Sequence, residues 1–182
     1  EGDGVVTVQR LALAGADYGL SVIGTVDGLD AAMHMQGTAR VTADDLSRFA
    51  GLAGRPVSGA GEIALTGQGS LLTGAFDVAA TVNGRDLGLG VAQLDQALRG
   101  PSQLRLVLAR DETGVALREL ALVAGPLQAE ASGTLASTGM ELAARVTLGD
   151  LARLGGGLRG SATTTASGRS RASRRAPPSA AQ

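Results

Sequence analysis

Apolar and polar residues alternate along most of this chain, in short segments separated by glycine-bearing turns. Between Asp17 and Asp27, Tyr18, Leu20, Val22 and Val26 share one parity with Gly24, and Ser21 and Thr25 hold the other. Such alternation predicts a strand buried on one side. Val5 to Leu13 is β-prone and bounded by glycines, which predicts a strand before it. Asp27-Gly28 predicts a tight turn into a strand over Ala31–Val41, where Met33, Met35, Ala39 and Val41 oppose His34, Gln36, Thr38 and Arg40. After Gly59, Ile63 and Leu65 lie opposite Glu62 and Thr66. The cleanest pattern runs from Leu71 to Gly84, setting Leu72, Phe76, Val78, Ala80 and Val82 against Thr73, Asp77, Thr81 and Asn83. A short strand over Asp86–Val91 follows, then Gln103–Arg110 with Leu104, Leu106 and Leu108. Leu127–Leu135 and Gly139–Leu148 alternate again, the latter through Met140, Leu142, Val146 and Leu148.

One segment, Thr113–Val123, changes phase. Val115 and Leu117 have one parity, Leu120 and Leu122 the other, with Arg118-Glu119 between them. A β-bulge at that point would return all four to a single apolar face.

Helical spacing replaces the alternation in three places. Leu46, Phe49 and Ala50 stand at i, i+3, i+4 within 43–50, after Thr42 as N-cap and Asp44-Asp45 as first-turn acids. Leu94, Ala97 and Leu98 repeat the spacing within 92–99, and Gly100-Pro101 ends it. A third short helix is expected over 149–154, because the first one recurs there. ARVTADDLSR at Ala39–Arg48 returns 105 residues later as ARVTLGDLAR, with seven identities in ten positions. After a four-residue deletion, Gly59 falls on Gly160 and Gly67 on Gly168. Internal similarity between 39–59 and 144–160 marks a modular, elongated architecture.

Composition narrows this further. Only Tyr18, Phe49 and Phe76 are aromatic, and 28 glycines dilute the aliphatic residues. A thick core usually leans on aromatic bulk, so a thin, extended sheet is expected. The apolar stripes leave two arrangements open: two sheets closed on each other, or one curved sheet whose greasy face is a groove. In either case Tyr18, Leu20, Val22, Met33, Met35, Ile63, Leu65, Phe76, Val78, Val82, Leu104, Leu106, Leu142 and Val146 are expected to line one continuous face.

Candidate chemistry is sparse. Without cysteine there is no disulfide or thiolate site. His34, the one histidine, has no second histidine to complete a metal site. The glycine pairs never extend to a nucleotide fingerprint, and no lysine serves a phosphate loop. No catalytic residue, cofactor or metal is therefore assigned. All sixteen basic residues are arginine, and five lie beyond Leu158, where no acid follows. Residues 1–158 hold eleven arginines against seventeen acids, a formal −6, which disfavours a nucleic-acid partner. No apolar run reaches 18 residues, so no spanning helix is expected. Starting at Glu1 in mid-pattern, the chain reads as a piece of a longer protein. Residues 161–182, rich in Arg, Ser and Pro, are expected to be a disordered tail, although Ser161–Gly168 has a strand option by analogy with Ala60–Gly67.

The segments VTADDLSRFAGLAGRPVSGAGEIALTGQGSLLTGAFDVAATVNG, DLGLGVAQLDQALRGPSQL, LRELALVAGPLQAEASGTLAS and ELAARVTLGDLARL resemble the TamB family, within the wider AsmA-like group. The resemblance covers residues 5–160 and rests on degenerate repeats rather than a catalytic fingerprint. It implies a long β-taco or trough, anchored at the inner membrane and lying in the periplasm. It also implies work with a TamA-like outer-membrane barrel in outer-membrane protein assembly, and transport of phospholipid. The cargo would be phospholipid acyl chains or apolar strands of outer-membrane proteins. A structural β-solenoid and a compact lipid-binding β domain are the competing classes.

Overall fold

The computed structural model describes residues 4–28, 33–149 and 160–171. Ten strands run in chain order: β1 (Val6–Ala14), β2 (Tyr18–Asp27), β3 (His34–Ala43), β4 (Ser58–Ser70) and β5 (Phe76–Gly88), then β6 (Pro101–Arg110), β7 (Gly114–Ala124), β8 (Leu127–Ala136), β9 (Gly139–Leu148) and β10 (Ala162–Arg171). A 3-10 turn at Leu46–Phe49 continues into α1 (Ala50–Ala53), and α2 spans Ala92–Ala97. Every strand pairs antiparallel with its sequence neighbours, giving one open ten-stranded sheet with β1 and β10 as its edges. Of the two arrangements left open by the sequence, the molecule adopts the single sheet. It is a mostly β protein of amphipathic strands, consistent with an elongated trough.

A sheet with nothing stacked on it cannot bury large side chains completely. Among the described residues no large side chain is fully buried, and the buried apolar set is Ala43, Ala80, Ala97, Leu98 and Ala124. Cohesion therefore comes from ladder hydrogen bonds and cross-strand pairs. Each good pair contributes ~0.2–1 kcal/mol over Ala–Ala.

Directly paired residues share a face, so the register assigns every side. Leu20↔Val41↔Ile63↔Val82↔Leu104↔Leu122 is one continuous apolar row. The expected bulge is present in β7: Leu117 faces Gly133 and Leu120 faces Ala131, so two residues oppose Ser132. Leu117, Leu120 and Leu122 thereby all join the apolar face. A second bulge in β1, between Val8 and Leu11, does the same at Gln9-Arg10.

Several boundaries differ from the sequence reading. The pattern at Leu71–Ala75 is a turn, not strand: Ser70 N–H donates to the Ala75 carbonyl at 2.8 Å and Gly74 is left-handed at φ 67°. Strand β5 instead runs on through Gly88, past a left-handed Asp86 (φ 51°). Asp45, rather than Thr42, caps the first helical turn, its carboxylate accepting from Ser47 N–H at 2.9 Å. Asp45 is thus a cap and not a first-turn acid. The hydrogen bonds from Ser47 hold its pKa below the usual value. Ala162–Arg171 pairs along its whole length with β9, where a disordered tail is expected from the sequence. Ladder bonds to an existing strand do not require apolar side chains. All but the first residue of the third helix expected over 149–154, and the remainder of the tail, 172–182, lie outside the described residues.

Candidate functional site: an open apolar face

The odd-to-even connections all lie at one end of the sheet, and two of them carry the helices. Leu46 reaches the apolar side there, its Cδ1 4.0 Å from the point where a Cβ on Gly61 would stand. Phe49 packs edge-to-face on Tyr18, ring centroids 6.2 Å apart, and Arg48 pairs with Asp17 at 2.8 Å. Asp86 ties the α2 connection down, its N–H donating to the Gly100 carbonyl at 3.0 Å and its Oδ1 accepting the Gly100 N–H at 2.8 Å. Asp95 of α2 accepts from Leu89 N–H at 2.6 Å. The helices thus cover one rim of the apolar face. The rest stays open.

Thirteen of the fourteen residues expected to line the face are brought together on it. Tyr18, Leu20, Val22, Met35, Ile63, Leu65, Phe76, Val78, Val82, Leu104, Leu106, Leu142 and Val146 all point to the same side by register. Met33 does not belong to the set. It precedes β3 in a left-handed conformation (φ 45°), its N–H donating to the Gly28 carbonyl. Parity carries no meaning there, because the strand starts at His34. The register adds Val26, Leu108, Leu117, Leu120, Leu122, Leu135 and Met140, whose alternation was visible in the sequence. Several lining residues are strongly exposed for their type: Met35 is 42%, Leu142 42% and Val146 43% accessible.

One row has a special composition. Val8, Gly24, Gly37, Gly67, Val78, Leu108, Leu117, Gly133, Leu142 and Gly168 lie opposite one another from edge to edge. Three glycines stand side by side on β2, β3 and β4. A Cβ on Gly37 would strike the Ile23 carbonyl, and one on Gly67 would come within 2.8 Å of the Asp77 carbonyl. Adjacent backbones approach too closely there for any larger residue. The bare floor, walled by Val22, Val26, Met35, Leu65, Phe76 and Val78, makes a depression of about 550 Å³.

The opposite face carries the charge. Arg40 pairs with Glu62 at 3.3 Å, Arg118 with Asp77 at 2.7 Å and Arg169 with Glu141 at 2.6 Å, all solvent-exposed. Exposed pairs of this kind contribute ~0–1 kcal/mol each, so they mark a wetted surface more than they stabilise it. Ile23, Val107 and Val123 are the large aliphatic exceptions there, Ile23 49% and Val123 50% accessible. Among the described residues no three His, Asp or Glu side chains converge to hold a metal, and no helix is long and apolar enough to cross a membrane.

Comparison with family models, with curated proteins and with solved structures finds no match for this chain.

Proposed function

We propose that this chain is a non-enzymatic conduit segment whose apolar face carries acyl chains of phospholipid, as a TamB-like trough would in the periplasm. The observation that carries the reading is a row-by-row apolar lining, chiefly Val, Leu, Ile, Met, Ala and Gly, left accessible from β1 to β9 of the sheet. A contiguous exposed apolar surface of this kind marks an interaction site. The lining offers almost no hydrogen-bonding groups, which suits hydrocarbon and gives catalysis nothing to work with. Apolar strands of outer-membrane proteins are the second cargo. They are favoured specifically by strand β1, which pairs with β2 alone among the described residues, since an unpaired strand edge can accept a further strand.

Val78→Arg tests the reading against Thr81→Arg, which sits on the polar face of the same strand. An arginine on an open face keeps its hydration, so both variants are expected to fold. Photoreactive phospholipid is expected to crosslink several-fold less to Val78→Arg and equally well to Thr81→Arg. Unfolding of Val78→Arg alone would indicate a sealed core. Undiminished crosslinking would leave the conduit without support.

A further inference from the structure

We propose that the bare glycine stretch is an acyl-chain lane with a headgroup post, Arg110 binding the phosphate of a phospholipid whose chain lies over Gly24, Gly37 and Gly67. The inference rests on the conduit reading and adds polarity to it. Among the described residues, Arg110 is the one charged side chain at a strand position of the apolar face. It stands directly opposite Phe76, one row outward from the glycine row. Its Nη1 lies 3.8 Å from the point a Cβ on Gly74 would occupy, and Gly74 and Phe76 both line the depression. The guanidinium therefore stands beside Gly74, at the end of the apolar lane and outside its lining.

Two of the acids near Arg110, Asp77 and Asp111, are engaged elsewhere. Asp77 is on the polar face and bonds Arg118. Asp111 turns back on its own loop, accepting from Thr113 N–H, Thr113 Oγ1 and Gly114 N–H. The described residues provide no carboxylate partner for Arg110, whose planar fork suits a phosphate bidentately. The three glycines span two inter-strand spacings, roughly 10 Å, at right angles to the strands. A chain lying there keeps its hydrocarbon on the apolar rows and brings its polar end to the outer rim. The opposite end of that row runs to Val8 of β1.

The test uses the whole chain and two photoreactive probes with identical acyl chains, a phosphatidylethanolamine and a diacylglycerol. The parent is expected to crosslink the phospholipid in preference by about tenfold, in keeping with a charge-assisted hydrogen bond. Arg110→Gln is expected to erase the preference while still crosslinking the diacylglycerol, and Arg110→Lys to restore part of it. Equal preference in parent and Arg110→Gln overturns the headgroup post and leaves the conduit reading standing. Crosslinking of neither probe to the parent overturns both. Arg110 is exposed, so Arg110→Gln is expected to fold as the parent does, and matched circular dichroism would verify it.

Discussion

Strands β3 and β9 are the same strand written twice, and where they differ shows what sets the depth of the groove. A shift of 105 residues lays His34–Ala43 on Gly139–Leu148 end to end. On the apolar face Met35, Ala39 and Val41 match Met140, Ala144 and Val146, while Gly37 becomes Leu142 and Ala43 becomes Leu148. Gly67 and Gly168, equivalent in the repeat, occupy the same row beside Gly37 and Leu142 respectively. The floor is therefore bare in the first module, Gly24-Gly37-Gly67. In the second it is bridged by Leu142, standing between Gly133 and Gly168. Backbone and register are shared, so one side chain in one row decides whether the trough is deep or shallow.

Exchanging those residues is the sharpest way to break the comparison. Gly37→Leu is expected to cost about 1–3 kcal/mol, since its Cβ meets the Ile23 carbonyl and lies 3.0 Å from the Gly24 Cα. Urea unfolding would measure it, and an unchanged midpoint would mean the strands are free to spread. Leu142→Gly is expected to cost less, ~1–2 kcal/mol, from lost apolar contact and the extra freedom of glycine in a strand. It should also deepen the second module, detectable as increased binding of an environment-sensitive apolar dye. A stability loss with no added dye binding would sink the depth argument.

Deleting Arg118 is expected to have a smaller effect. The β7 bulge places Arg118 and Glu119 together against Ser132. Removing one of them leaves Leu117, Glu119 and Leu120 alternating normally, so both modules stay in phase. Only the exposed ion pair with Asp77 is lost, worth ~0–1 kcal/mol. A collapse in thermal stability would show that the bulge itself, and not the phase it restores, holds the modules together.

The smallest effect is in the loop joining β6 to β7. The Thr113 hydroxyl and N–H hold the Asp111 carboxyl below its ordinary pKa. A lowered folded-state pKa stabilises above the ordinary carboxylate value, and that contribution is lost as pH falls through the lowered one. Thr113→Val removes the largest cause, so the Asp111 pKa is expected to rise toward its ordinary value and the acid-side loss to shrink. A carbonyl-detected NMR titration of Asp111 would read the shift, and no movement would assign the depression to the backbone bonds.

Legibility followed side-chain size. The bulge at Arg118-Glu119 was readable because four large aliphatics change parity around it. The apolar face was readable for the same reason, through residues such as Phe76, Val78 and Leu106. Strand β10 was not. Its apolar-face positions are Ala162, Thr164, Ala166, Gly168 and Ser170, so hydropathy hardly differs between its two sides. Leu72 misled in the opposite direction. It extends the parity of Phe76 and Val78 by coincidence, while Gly74 and the Ser70–Ala75 bond close a turn around it. Arg110 was seen as a strand end. Only the register, Phe76↔Arg110↔Val115, puts it on the greasy side.

Among the described residues each strand pairs with its neighbours in sequence and with no other. Stability is then close to a sum over adjacent hairpins, as in a one-dimensional chain of coupled units. Such a sheet grows by accretion, every new hairpin docking on a finished edge without long-range loop closure. It also frays from its ends: β1 and β10 should exchange their amide protons first, with protection rising inward toward β4 and β5. Length becomes an adjustable quantity, since a hairpin added or removed at an edge changes the reach of the trough and leaves every interior pairing as it was.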